Sequence, residues 1–364
     1  MPDVPGALTG AQVQQTVAWI AAQQDDDGAL PWFRGGQLDP WDSVEAAMAL
    51  DVGGEHARAR AAYRWLADRQ RADGSWASEY RGGAETAPAA ESNHAGYLAV
   101  GVWHGWLVTG DDDRVAELWP AVRRGLDLVT RMQLPGGAIS WALRPDGTPD
   151  DTALLTGCAS LYQALRCGVA LGELRGDPQP DWELAVTELG TALREQPEAF
   201  ADRSRFSMDW YYPVLGGAVT GTAARDRLAA DWDRFVVPGL GARCVADRPW
   251  VTGAETCELA LALAAAGQPE AAFEQLAAMQ HLREDDGSYW TGYVYADDAR
   301  WPVERTTWTA AAVVLAADAL ADASGGARLF TDPAALPAPG TGTGTEAGTG
   351  SPDWLPGRAG TVRQ

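Results

Sequence analysis

Residues 60–76 read RAAYRWLADRQRADGSW, and the order of residue types in this stretch decides the fold. Small and apolar residues recur at helical spacing from Arg60 and Ala61 to Trp65 and Leu66. Gln70 follows, Gly74 marks a turn, and Trp76 opens the next stretch. A glutamine amide suits the unpaired backbone groups of a helix end, a glycine supplies a left-handed turn, and a tryptophan covers the junction with apolar area. The same order recurs, with drift, in three other places: Trp19, Ile20, Gln24, Gly28 and Trp32; Arg124, Gly125, Leu128, Val129, Gln133, Gly137 and Trp141; and Leu276, Gln280, Gly287 and Trp290. A repeated unit of this kind is a helical hairpin. Its tryptophans read as structural clamps, Trp76 foremost.

The second segment of each unit begins near Asp42, Glu91, Asp151, Asp209, Glu255 or Glu304. Runs such as GYLAVGVWHGWLV and TAAAVVLAADAL are apolar on nearly all sides, as expected of inner helices enclosed by an outer ring. Six such segments predict an all-α protein, a single (α/α)6 toroid over residues 1–325. Between residues 181 and 250 the Gln and Trp signature is missing, so hairpin boundaries there are not set. Residues 326–364, which include PAPGTGTGTEAGTGSP, read as a low-complexity Gly/Thr/Pro tail whose removal after residue 325 should leave stability nearly unchanged.

The Gln-Gly-Trp pattern resembles the QW motif of squalene and hopene cyclases and their prenyltransferase relatives, over most of residues 10–322. That resemblance to the terpenoid cyclase and prenyltransferase superfamily implies an isoprenoid or other apolar substrate in the lumen, and transferase or isomerase/lyase chemistry. Residues 148–153, Thr-Pro-Asp-Asp-Thr-Ala, resemble the DxDDTA element of class II terpene cyclases with Thr148 in place of the first Asp. On that resemblance Asp150 is the acid that protonates an alkene, with Asp151 beside it to hold the proton through a mutual pKa shift. The segment around Cys158 resembles the zinc-binding cysteine of protein prenyltransferases. Thr156, Thr306 and Thr307 stand where that branch places its Asp and His, so neither metal nor cofactor is expected.

Read from the residues alone, the inner N-termini converge at one end of the barrel. They bring together Trp41, Asp42 and Glu45; Glu91, Asn93 and His94; Asp209, Trp210, Tyr211 and Tyr212; Glu255 and Glu258; and Glu304, Arg305 and Trp308. Acids at such positions also serve as helix caps. Glu91 and His94, at i and i+3, form a candidate proton-shuttling pair. Trp41, Trp210, Tyr211, Tyr212 and Trp308 are candidate lumen-facing rings, with Glu255 and Arg305 as further substrate contacts. Two other classes fit the same residues. One is a carbohydrate-active α/α barrel, glycosidase or lyase, with Asp42, Glu91 and Asp209 as acid and base. The other is a non-catalytic binding barrel. Asp111, Asp112 and Asp113 belong at the opposite mouth as caps.

The formal charge of −22 opposes nucleic-acid phosphates and anionic membranes. All 28 basic residues are arginine, which excludes a Schiff-base or phosphate-loop lysine. Four cysteines without a CxxC pair, and the lack of a long apolar run, lead to the expectation of an unexported cytoplasmic protein acting on a small molecule, with no nucleic-acid partner and no transmembrane segment. The oligomeric state is not set by these features.

Overall fold

Helices alternate between two roles along the chain of the computed structural model, which describes residues 1–337. The hairpins pair α1 (Gly10–Gln23) with α2 (Pro40–Val52), α3 (His56–Arg69) with α4 (Ser92–Thr109), and α5 (Asp112–Arg131) with α6 (Leu155–Arg175). They continue with α7 (Pro180–Glu195) and α8 (Ser207–Leu215), then α9 (Gly221–Ala230), the single turn α10 (Trp232–Phe235) and α11 (Gly253–Ala265), then α12 (Pro269–Ala278) and α13 (Thr307–Ala321). The second helix of each pair is buried on almost every side, as Ala310–Ala317 of α13 illustrate. The first is one-sided: α5 turns Val115, Leu118, Val122, Leu126 and Val129 inward and carries its arginines on the other face, apart from Arg114. Inner helices touch in the order α2, α4, α6, α8, α11, α13 and back to α2, which closes the (α/α)6 toroid read from the repeats.

The junction residues explain why the ring forms. Gln70 donates from Nε2 to Gly74 O of its own turn at 3.0 Å and to Ala121 O of the next outer helix at 2.9 Å. Gln24 joins Gly28 to Arg58 in the same way, and Gln133 joins Gly137 to Ala185. Each amide thereby satisfies one carbonyl on either side of a hairpin seam. The glycines do a second job. Gly28, Gly74, Gly137 and Gly287 sit at φ +96°, +98°, +95° and +85°, and a Cβ at Gly74 would lie 2.2 Å from Arg124 O. Only glycine combines that backbone with so close an approach.

Trp76 is the clamp anticipated for it, 1% exposed and donating to Leu66 O at 2.8 Å. The other three tryptophans do not repeat it. Two residues after the turn glycine the equivalents of Trp76 are Leu30, Ile139 and Tyr289, all buried. Trp32 and Trp141 stand two positions further on and Trp290 one, and all three are partly exposed. Trp141 is 36% exposed.

Connections at one end are short, at residues 53–55, 110–111, 176–179, 216–220 and 266–268. Those at the other end are long and braided into small antiparallel ribbons, such as Gln37–Leu38 with Glu79–Arg81 and Ala84–Ala87. The site therefore belongs to the long-loop end. At the far end Arg114 grips Asp51 with both terminal guanidinium nitrogens, and His56 Nδ1 lies 3.1 Å from the same carboxylate. Asp111 caps α5 there, as expected.

The boundary expected at residue 325 falls inside packed chain. Leu329, Phe330 and Leu336 are buried, and Arg166 of α6 donates to Pro333 O, Leu336 O and Pro337 O. Three apolar side chains and a buried guanidinium hold a segment whose composition reads as tail. Residues 338–364 lie outside the described part of the chain. No helix among the described residues is long and apolar enough to cross a membrane.

Candidate active site

Helix α2 begins at Pro40, with Asp39 as N-cap accepting from Asp42 N at 2.9 Å. The next turn presents Trp41, Asp42 and Glu45 to the lumen side by side. Trp41 Nε1 donates to Glu45 Oε1 at 2.8 Å, and Tyr97 of α4 donates its hydroxyl to the same oxygen at 3.0 Å. Across the lumen, Glu258 of α11 receives two tyrosine hydroxyls from α8, Tyr211 at Oε2 and Tyr212 at Oε1, the latter at 3.0 Å. Trp41 packs against Tyr97 at 4.9 Å and edge-on against Tyr212 at 5.6 Å, so the two carboxyl groups share an aromatic floor.

Electrostatics separate the roles. Burial first, then the adjacent Asp39 carboxylate, then Glu45 and Glu258, push the Asp42 carboxyl well above the usual range. Burial lifts Glu45 to about 7 against the pull of its Trp41 and Tyr97 donors. Burial and the Glu45 charge push Glu258 well above the usual range too, against the Tyr211 and Tyr212 hydroxyls that favour its anion. Asp42 thus has mostly acids for company, whereas Glu45 and Glu258 each accept two hydrogen bonds from ring donors. Glu255, one helical turn before Glu258, is buried with Oε2 unpartnered.

A cavity of about 170 Å³ opens beside this cluster, with Trp41 as the shared wall. Glu91, Asn93, Thr156, Arg203 and Asp209 form its polar side. Asp209 accepts from Thr156 Oγ1 at 2.6 Å, and burial raises its carboxyl against that hydrogen bond. A broader cleft of about 660 Å³ continues past Asp209 and Arg203 toward Phe200, Asp202 and Arg227.

The sequence-derived candidates divide accordingly. Asp42, Trp41, Tyr211, Tyr212 and Glu255 converge, and Glu91 and Asp209 line the adjoining cavity. His94 is buried, but the carboxylate near it is Asp39, whose Oδ1 is 3.9 Å from Nε2, rather than Glu91. Trp210 is core, stacked on Phe235 at 5.2 Å with Nε1 bonded to Arg227 O. Arg305 is tied to Asp286 and Ser288 at the rim, and Trp308 packs on Trp32 at 6.3 Å. Asp150 and Asp151 are the clear correction. Helix α6 starts at Leu155, and the turn before it leaves Asp151 exposed and Asp150 partly exposed beside Arg144. Hydrogen bonds from Thr152 hold Asp150 below the usual carboxylate range, the reverse of what a proton donor needs. Asp39 and Tyr97 were not singled out from the sequence, and Glu45 and Glu258 were only part of the converging set. Cys158 bonds Ile139 O within the core, and no group of three His, Cys, Asp or Glu among the described residues is placed to hold a metal ion.

No protein-family model matches the chain. Solved structures of similar shape include a glycosidase variant, 17% identical with TM-score 0.66 over 85% of this chain and 96% of that one. Another is the GH63 mannosylglycerate hydrolase from Thermus thermophilus in complex with glucose, 14% identical with TM-score 0.62 over 83% and 99%. These likenesses show the fold, an α/α toroid, here with acids gathered at its long-loop mouth. At the sequence level it is 57% identical over 330 residues to the MMP endo-(1,4)-3-O-methyl-α-D-mannosidase of Mycolicibacterium hassiacum, a match covering 91% of this chain and 92% of that one. The chain belongs to that mannosidase family.

This membership overturns the terpenoid cyclase and prenyltransferase resemblance, and with it the transferase or isomerase/lyase chemistry and the isoprenoid substrate. The physical reason is local. Gln, Gly and Trp at a hairpin junction solve a packing problem, and that problem is the same whatever the lumen does.

Proposed function

We propose that this protein hydrolyses internal (1,4) bonds of a polymer of 3-O-methyl-α-D-mannose, as the name of its 57%-identical relative describes for that enzyme. The observation that carries the reading is the facing pair of carboxyl groups, Asp42 without a hydrogen-bond donor to favour its anion and Glu258 with two tyrosine donors. Asp42 gives its proton to the glycosidic oxygen as the bond to the anomeric carbon breaks. Glu258 either bonds to that carbon and is then displaced by water, whose proton returns to Asp42, or takes the proton of a water that attacks the carbon; on both routes water's hydroxyl ends on the sugar. Glu45, held by Trp41 and Tyr97, keeps a third carboxyl close enough to raise both neighbours. The open cleft beyond Asp209 suits a chain that is cut internally. Four cysteines carried as free thiols suit a reducing compartment, the cytoplasm.

The test is incubation of purified protein with the 3-O-methylated mannan and chromatography of the products. Shorter oligosaccharides are expected, and Asp42→Asn and Glu258→Gln should each lower turnover by roughly 10²- to 10⁴-fold while folding normally. An intact polymer after incubation with wild type would overturn the reading.

A further inference from the structure

Gly157 occupies the first turn of α6, where glycine weakens a helix relative to alanine. Nothing in the fold demands it. Its φ is not in the left-handed region, and a Cβ placed there would meet nothing closer than Leu154 Cβ at 4.0 Å. Other helical glycines are different: a Cβ at Gly96, Gly125 or Gly168 would lie 2.5, 2.2 or 2.1 Å from a neighbour. Those residues are small so that helices can touch. Gly157 is small and leaves space, and that space belongs to the 170 Å³ cavity beside the carboxyl cluster.

One side of that cavity is apolar. Leu154, Ile139, Phe206 and Met208 line the cavity with Gly157, while Trp41 joins it to Glu45. A free hydroxyl turned to such a surface gains little, because burying a hydroxyl without a partner is costly. A methyl ether gains from it.

We propose that the recess at Gly157 receives an O-methyl group of the bound sugar, so that Gly157 and its apolar neighbours set the preference for methylated substrate. The inference rests on the functional reading above and adds to it the residues that select the methyl group. A single methyl group in a fitted apolar recess is worth about 10-fold or more in discrimination.

The experiment compares kcat/KM for a 3-O-methylated α-(1,4)-mannose oligosaccharide and its unmethylated counterpart, using wild type, Gly157→Ala and Gly157→Leu, with thermal melts alongside. Wild type should prefer the methylated compound by about 10-fold or more. Gly157→Ala places a methyl group where the substrate's would sit, so the preference should collapse toward unity, chiefly through KM, with the unmethylated substrate still cleaved and the melting temperature unchanged or higher. Gly157→Leu should fill the recess and extend the loss. A preference that survives in both folded variants overturns the assignment, as does a wild type that cleaves both compounds equally while still acting as a mannosidase. A wild type that cleaves neither overturns the mannosidase reading itself, and this inference with it.

Discussion

Glu45 shows what a single side chain costs the fold for the sake of the site. Its carboxyl is buried and titrates near 7, against 4.5 for the free group. A carboxyl that is harder to ionise when folded favours the native state fully below the unfolded value, and that advantage is lost as pH rises toward the folded one. Glu45→Gln, which preserves an acceptor for Trp41 and Tyr97, should therefore be more stable than wild type at pH 8, by on the order of 1–3 kcal/mol. The two proteins should converge in stability near pH 4.5. Urea titrations at a series of pH values would check this; a constant difference from pH 4 to 8 would show that Glu45 is not the titrating group. The same variant should lose turnover, while Asp150→Asn, at a surface turn, should leave both stability and activity unchanged. Sequence reasoning ranked these two acids in the opposite order. Asp150 carried a motif, whereas Glu45 looked like one more acid near a helix start. What separates them is three-dimensional: the floor of Trp41, Tyr97 and Tyr212 under one, the Arg144 turn around the other. Asp42 was legible because inner-helix N-termini converge by topology alone.

At the scale of elements, the hairpins were readable wherever the junction is built from Gln and Gly, since that chemistry is local in sequence. The chain between α7 and α11 was not, because its helices are short, the stretch from Gly216 to Thr252 carries one extra turn and a small ribbon, and no glutamine bridges the seam. The segment after α13 was misread for a related reason. Its few apolar residues are spaced irregularly, and their burial depends on a surface built by α6 and α8. Leu329 and Leu336 seat on that surface, and Arg166, 5% exposed, finds its acceptors only in the backbone of residues 333–337. Truncation after residue 325 should thus cost roughly 3–5 kcal/mol, because it exposes a core face and strands a buried cation. Truncation after residue 337 keeps all of these contacts and should cost nothing. Melting temperatures of the two shortened proteins would settle it, and equal values would return the boundary to residue 325.

For the whole molecule, the decisive property is closure. An open array of hairpins would have two ends that matter less than its middle. Here α13 packs on α2, and Gly287 of the last junction sits against Gln15 of the first outer helix, where a Cβ would lie 2.7 Å from the backbone. The repeats made a ring of six legible but left its contents open, since the lumen residues obey no repeat: Glu45 and Glu258 owe their environment to tyrosines from α4 and α8, residues that no periodicity distinguishes. Closure has a measurable consequence. If every seam is equivalent, Gly287→Ala at the closing junction should destabilise as much as Gly74→Ala or Gly137→Ala within the ring. Each substitution forces a side chain into left-handed backbone against a neighbouring carbonyl, at roughly 2–4 kcal/mol. All three proteins should still unfold in one cooperative transition, because opening any seam exposes the common core of inner helices. Calorimetry would distinguish this from an open array, in which Gly287→Ala would be nearly silent and the terminal hairpins would melt before the rest.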